Sequence, residues 1–182
     1  MTKASKKVQV GKENGSDRTK AQIRKVQSKE DLKEVEVLAE IIWNEHYTPI
    51  IGREQVEYML QNFQSVPAME KQIAGGMEYF LIQSGQAAVG YLAFQARKGE
   101  LFLSKIYLIS EFRGRGLGRA GMDFAQAMAR ERGLSFISLT VNRNNTDSIR
   151  AYERLGFVKE GTLVTDIGHG YVMDDFVMRK TL

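Results

Sequence analysis

The 182-residue chain predicts a mixed α/β domain, a mostly antiparallel sheet flanked by helices. Three observations predict it. Apolar residues recur at helical spacing through residues 28–63. Three strand-like runs then lie between 78 and 109, separated only by Ser84-Gly85 and Lys98-Gly99. A glycine-rich loop next leads into an amphipathic helix, after which strand and helix patterns alternate to the end.

AQIRKVQ (21–27) opens as a short strand. Ser28 with Asp31 resembles a capping box, and Leu32, Val35, Leu38, Ala39, Ile42 and Trp43 mark a helix that should end near Pro49. A second helix is expected from Arg53 to Phe63, with Val56, Met59, Leu60 and Phe63 on one face, and Gly75-Gly76 breaks the chain. The runs Glu78–Gln83, Ala87–Arg97 and Leu101–Ile109 have connections so short that they form an antiparallel meander. Leu117, Gly121, Phe124, Ala125 and Met128 give the next helix its apolar stripe, and Gly133 closes it. LSFISLTV (134–141) reads as a buried strand, Asn145–Leu155 as a helix ended by Gly156, and two strands, 157–166 and 171–180, finish the chain. The order is β-α-α-β-β-β-α-β-α-β-β, one domain over residues 21–182 behind a basic, flexible tail over 1–20.

Composition narrows the chemistry. There is no cysteine, which excludes disulfides, thiolate metal sites and a cysteine nucleophile. His46 and His169 lie too far apart for metal-ligand spacing, so no metal is expected. The net charge of +4 suggests nucleic acid, but residues 1–25 hold 8 of the 26 basic and 2 of the 22 acidic residues. The remaining 18 basic and 20 acidic residues make the body slightly acidic, with a net of −2. A solvated arm explains the charge better than a recognition element, and the arm lacks interleaved aromatics. No apolar run reaches the length of a membrane span and the amino terminus has no apolar signal core, so no nucleic acid and no membrane are expected as partners, and a cytoplasmic location is.

The stretch FRGRGLG (112–118) carries the functional signal. A strand, a glycine turn and a helix gather backbone N–H groups at a helix N-terminus, where the dipole favours an anion. Arg113 and Arg115 add charge-assisted hydrogen bonds to phosphate, each worth roughly 1.5–3 kcal/mol. Gly116, Gly118 and Gly121 also complete a G-x-G-x-x-G pattern. A dinucleotide site, however, needs this pattern in the first βα turn of a parallel sheet, with an acidic residue about 20 positions on. Here it follows a meander, and the next strand ends in Thr140-Val141-Asn142. A Walker loop would need Gly-Lys-Ser/Thr, which is absent.

Arg113-Gly114-Arg115-Gly116-Leu117-Gly118 matches the pattern Gln/Arg-x-x-Gly-x-Gly/Ala, and Asn145, Ser148, Tyr152, Gly156 and Phe157 match a second, Asn-x-x-Ala/Ser-x-x-x-Tyr-x-x-x-Gly-Phe. In both motifs and in element order, residues 22–180 resemble the GNAT superfamily of acyl-CoA-dependent N-acyltransferases, and the layout is similar to its polyamine acetyltransferases. The resemblance implies acetyl-CoA as co-substrate. It implies that Leu108, Ile109 and Ser110 border the pantetheine arm in a gap beside their strand. Residues 113–118, with Arg119, would take the pyrophosphate, and Asn145, Ser148 and Tyr152 would complete the cofactor side. Tyr152 would protonate the departing sulfur.

Without cysteine no acyl-enzyme thioester forms, so the amine attacks directly. Family members that carry a glutamate on the strand before the loop use it as base, but the inner part of LFLSKIYLI has no carboxylate; Glu100 sits at its far end, and Glu78, Glu45 and His46 are weak substitutes. Proton removal by an ordered water chain is an equal alternative, and no base is assigned. By the same resemblance the first connection, with His46 and Tyr47, and the last hairpin, with Asp166 and the pair Asp174-Asp175, border the acceptor. The implied acceptor is a small cationic, polyamine-like amine, with a protein amine or an aminoglycoside as the alternatives, and a homodimer is left open. The alternative is a sensor that binds acyl-CoA without turnover.

Overall fold

A computed structural model describes residues 21–182; the tail expected over 1–20 lies outside the described residues. The strands are β1 (Ala21–Lys25), β2 (Glu78–Ser84), β3 (Ala87–Arg97), β4 (Glu100–Leu108), β5 (Phe136–Asn142), β6 (Val158–Gly168) and β7 (Tyr171–Thr181). They form one sheet in the order β1-β2-β3-β4-β5-β7-β6, antiparallel everywhere except β4–β5. The helices are α1 (Lys29–His46), α2 (Thr48–Ile51), α3 (Arg53–Met59), α4 (Val66–Ala74), α5 (Leu117–Glu131) and α6 (Thr146–Arg154).

Alternation along the meander builds two cores. Tyr79, Leu81, Tyr91 and Ala93 pack with α1, α3 and α4 on one face of the sheet. Phe80, Ile82, Leu92 and Phe94 pack with α5 on the other. Both faces are covered, which is why these strands read as almost unbroken apolar runs. The predicted capping box at the start of α1 is present: Ser28 Oγ accepts from Asp31 N at 3.1 Å, and Asp31 reaches back to Ser28 N.

The helical region departs from expectation. The first helix stops at His46, and Pro49 then sits in the first turn of the short α2, a position that needs no N–H donor. The second helix is α3, which widens into a π turn over Leu60–Gln64. A further helix, α4, follows at once with Pro67 in its first turn. Proline reads as a breaker in a short segment, which hides both α2 and α4 from a periodicity search.

Two irregularities of β4 shape everything around it. Ala93 pairs with Lys105 and Phe94 with Leu103, so Ser104 is an extra residue, a β-bulge. Leu101 and Leu103 face the α5 core, but beyond the bulge Ile106 and Leu108 do so, while Tyr107 turns to the α1–α4 side. One inserted residue thus reverses which side chains face which helices. The second irregularity is the pairing with β5, which covers only Glu100–Phe102 against Phe136–Ser138. β5 then stays with β7 along its whole length, down to Asn142 opposite Asp175. Among the described residues the remainder of β4 keeps β3 on one side but has no strand on the side facing β5, and a seam opens in the middle of the sheet.

Deleting Ser104 removes the extra residue, so Lys105 follows Leu103 directly and regular alternation keeps Ile106 and Leu108 against α5 and Lys105 and Tyr107 on the opposite face. The expected outcome is a retained cooperative thermal unfolding transition, read by circular dichroism; loss of that transition would mean that the bulge itself is needed for the fold.

Candidate functional site

The glycine loop closes one end of the seam. Gly114 and Gly116 have φ of 74° and 85°, a conformation that side chains rarely adopt. Gly116 is the N-cap residue of α5, and among the described residues no side chain caps that helix. The amides of its first turn are therefore free to meet an anion. Arg113 and Arg115 are exposed beside them; Arg115 lies over the Phe112 ring at 4.9 Å, and Arg119 reaches Asp123 at 3.8 Å. Gly121 plays a different part, buried on α5 against Ile82, Leu92 and Ile106.

From this loop a groove of about 690 Å³ runs between β4, α5 and α6, lined by Ile106, Leu108, Gly118, Ser148 and Tyr152 among others. Ile109 N donates to Val89 O on β3 at 2.9 Å. Alternation then turns the N–H and C=O of Leu108 toward the seam, where its carbonyl accepts from Arg113 Nε at 3.1 Å. Ser110 belongs to a 3₁₀ turn, and its carbonyl accepts from Arg113 N. Asn145 is buried as the N-cap of α6 and accepts from Ser148 N at 3.4 Å. The second motif thus starts and aims the helix that carries Tyr152. An uncapped helix N-terminus, two arginines and unpaired strand groups fit a ligand with a pyrophosphate and an extended amide-bearing arm.

The other side of the seam opens into a second cavity, about 470 Å³, between the first helices, β4, β5 and the β6–β7 hairpin. Trp43, Tyr47, Met59, Phe63 and Tyr107 make much of its wall. Tyr58 Oη donates to Ile167 O at 2.5 Å and Gln55 Nε2 to Val172 O at 2.8 Å, so α3 and the hairpin hold each other and form a roof. Tyr47 lines both this cavity and a third pocket of about 360 Å³ along the seam, with its hydroxyl 3.3 Å from that of Tyr107.

The remaining expected residues divide. His46 lines the seam beside Arg113 and Asn145, on the cofactor side. Burial, then the Arg113 charge, holds its pKa below the usual imidazole range, so it is neutral at pH 7. Asp166 does not line the cavity. Thr165 and Ile167 do, and alternation turns Asp166 outward, where it is exposed and accepts from Gly168 N at 2.8 Å. Of the pair on β7, Asp174 meets Arg143 at 3.2 Å, whereas Asp175 is 5% exposed and lines the cavity. Among the bases considered, Glu78 is taken by Lys25 and Arg132, and Glu100 by Arg179. Sequence reasoning missed Lys105, which is 8% exposed and lines both this cavity and the pocket along the seam. A lone lysine within an otherwise apolar strand was the available signal.

Burial sets the protonation states. It raises Tyr152 well above the ordinary phenol range, helped by Tyr47, so Tyr152 keeps its proton at neutral pH. It raises Asp175 to about 6, with a hydrogen bond from Thr140 opposing the shift and Asp174 adding to it; the carboxylate is still ionised at pH 7. Burial alone lowers Lys105 to about 8.

Residues 36–157 match the model of the Acetyltransferase (GNAT) family. Streptothricin acetyltransferase of Streptomyces lavendulae is 40% identical over 74 residues, 41% of this chain and 38% of that protein. Mycothiol acetyltransferase of Thermobispora bispora is 34% identical over 88 residues, 44% of this chain and 30% of that protein. The matched region therefore spans well under half the length of these relatives. Among solved structures, the PaiA N-acetyltransferase of Thermoplasma acidophilum in complex with coenzyme A superposes with a TM-score of 0.74 at 21% identity, over 90% of this chain and 99% of that one. The ribosomal-protein-S18-alanine N-acetyltransferase of Escherichia coli does so with 0.67 at 17%, over 89% and 94%. These two likenesses speak for the fold, and together with the family match and the loop geometry they lead to one statement: the chain belongs to the GNAT acetyltransferase family.

Proposed function

We propose that the chain transfers an acetyl group from acetyl-CoA to a primary amine of a small acceptor that enters as a cation. The observation that carries this reading is the seam between β4 and β5, which joins the anion-binding loop to a roofed cavity containing the Asp175 carboxylate. Residues 113–119 and the first turn of α5 would hold the pyrophosphate, and Leu108 would pair with the pantetheine arm. Bound there, acetyl-CoA supplies the thioester that is the acyl donor.

The protein's own part is orientation and proton control. Asp175 draws in the ammonium, and Tyr47 and Tyr107 flank the passage toward the seam. The amine gives its proton to an ordered water chain leading out of the site, and the aromatic wall keeps bulk water from it thereafter. Tyr152, held protonated by burial, gives its hydroxyl proton to the sulfur as the carbon–sulfur bond breaks. A protein amine is the second acceptor class, and the amine panel below separates it from a small cation. A sensor would share the loop and seam, and thiol release from acetyl-CoA with a panel of amines separates it from an enzyme.

Tyr152→Phe keeps the ring but removes the proton donor. We expect kcat to fall roughly 10²–10³-fold with little change in acetyl-CoA affinity. A kcat equal to that of the parent protein, with a matched acceptor, would take Tyr152 out of the mechanism.

Asp175 gives a prediction with two signs. The folded state keeps its proton up to about pH 6, while an unfolded aspartate releases it near 3.9. The folded state thus binds more protons in that window, and stability falls as pH rises through it. Asp175→Asn should stabilise the protein at pH 7.5 by roughly 1–3 kcal/mol, an advantage that vanishes by about pH 4. The same change should raise KM for the amine and abolish the fall in kcat/KM below about pH 6. Denaturant melts and initial rates at several pH values check both halves.

A further inference from the structure

The acceptor cavity is charged at both ends. Asp175 lines it on β7; on β4, Lys105 lines it at the end where Arg97 lies over the Phe102 ring at 3.7 Å. These three are the charged side chains among its lining residues. Asp175 is 5% exposed and Lys105 8%, yet among the described residues neither forms an ion pair, although ten pairs are present elsewhere. Lys105 Nζ instead donates to Gln72 Oε1 at 3.0 Å and Ser104 Oγ at 3.2 Å, with the Tyr79 ring centroid 5.3 Å away. Gln72 Oε1 is shared with the Tyr79 hydroxyl at 2.6 Å, so it serves Lys105 only in part.

Buried charges without counter-charges are costly, and such groups are paired or bind a ligand. The two cannot pair with each other here. β4 and β7 lie on either side of β5, two strand spacings or on the order of 10 Å apart, and the seam widens the distance. A polyamine would satisfy Asp175 but bring a second cation to Lys105 and Arg97. A ligand with an ammonium at one end and a carboxylate at the other satisfies both.

Resting on the acetyl-transfer reading, we propose that the acceptor is an amine that also carries a carboxylate, the ammonium directed to Asp175 and the carboxylate to Lys105. The chemical class is an ω-amino acid, or a compound presenting the same two groups several bonds apart. An α-amino acid acetylated at its α-nitrogen holds the two groups too close together to reach both ends. The aromatic and thioether side chains between them suit an alkyl spacer.

The test measures acceptor binding directly, by calorimetry with and without saturating coenzyme A, so that it does not depend on turnover. The probes are 6-aminohexanoate, 1-aminohexane and 1,6-diaminohexane. The parent protein should bind 6-aminohexanoate at least about 10-fold more tightly than either other probe, and Lys105→Met should reduce that ratio to near one. Equal or tighter binding of the diamine, or a ratio that survives Lys105→Met, overturns the proposal. Should Lys105→Met fail to fold, Lys105→Gln takes its place, and the ratio in the parent protein decides the matter on its own. Thiol release is measured beside it: a binding preference with no thiol release from any amine would sink acetyl transfer and leave the dipolar cavity standing.

Discussion

The parting of β4 from β5 is the constraint on which the rest depends. A parallel pair that continued to Leu108 would satisfy its backbone groups and leave no place for a ligand within the sheet. Here pairing stops after Phe102, because β5 follows β7 while β4 follows β3. The unpaired edge faces the uncapped start of α5 on one side and the aromatic cavity on the other. The bulge at Ser104 matters for the same reason. By reversing alternation it sends Tyr107 and Lys105 to the roofed cavity and keeps Ile106 and Leu108 against α5.

Much of this was legible in the sequence. The loop at 113–118, the motif from Asn145 to Phe157 and the meander each have local signatures, since a turn needs glycine and a helix needs a cap. The strands were placed within one or two residues for the same reason. What escaped was whatever depends on long-range pairing. Whether Asp166 or Asp175 lines the roofed cavity is fixed by the register of β6 on β7, with its irregularities at Lys159/Gly161 and Asp166/Gly168, and no local pattern reveals it. Helix α4 escaped because a proline in its first turn is indistinguishable, in a short segment, from a proline that ends a helix.

The site is also where the fold gives up stability. The bulk of the two cores is apolar and close-packed, yet Asp175 and Lys105 are buried as lone ionisable groups, both shifted by desolvation toward their neutral forms. Elsewhere charges are managed conventionally: Glu78 lies between Lys25 and Arg132, and Arg179 between Glu100 and Glu160. On the proposed reading, that contrast separates charges that serve the fold from charges kept for a ligand.

The central claim, that the seam receives the pantetheine arm, is tested most directly by amide hydrogen exchange with residue resolution, in the presence and absence of coenzyme A. Leu108 and the amides of 114–119 should exchange more slowly with the ligand bound. Ile109 is already bonded to Val89 and should change little. Slowing confined to other parts of the sheet, with Leu108 and the loop unaffected, would contradict the account.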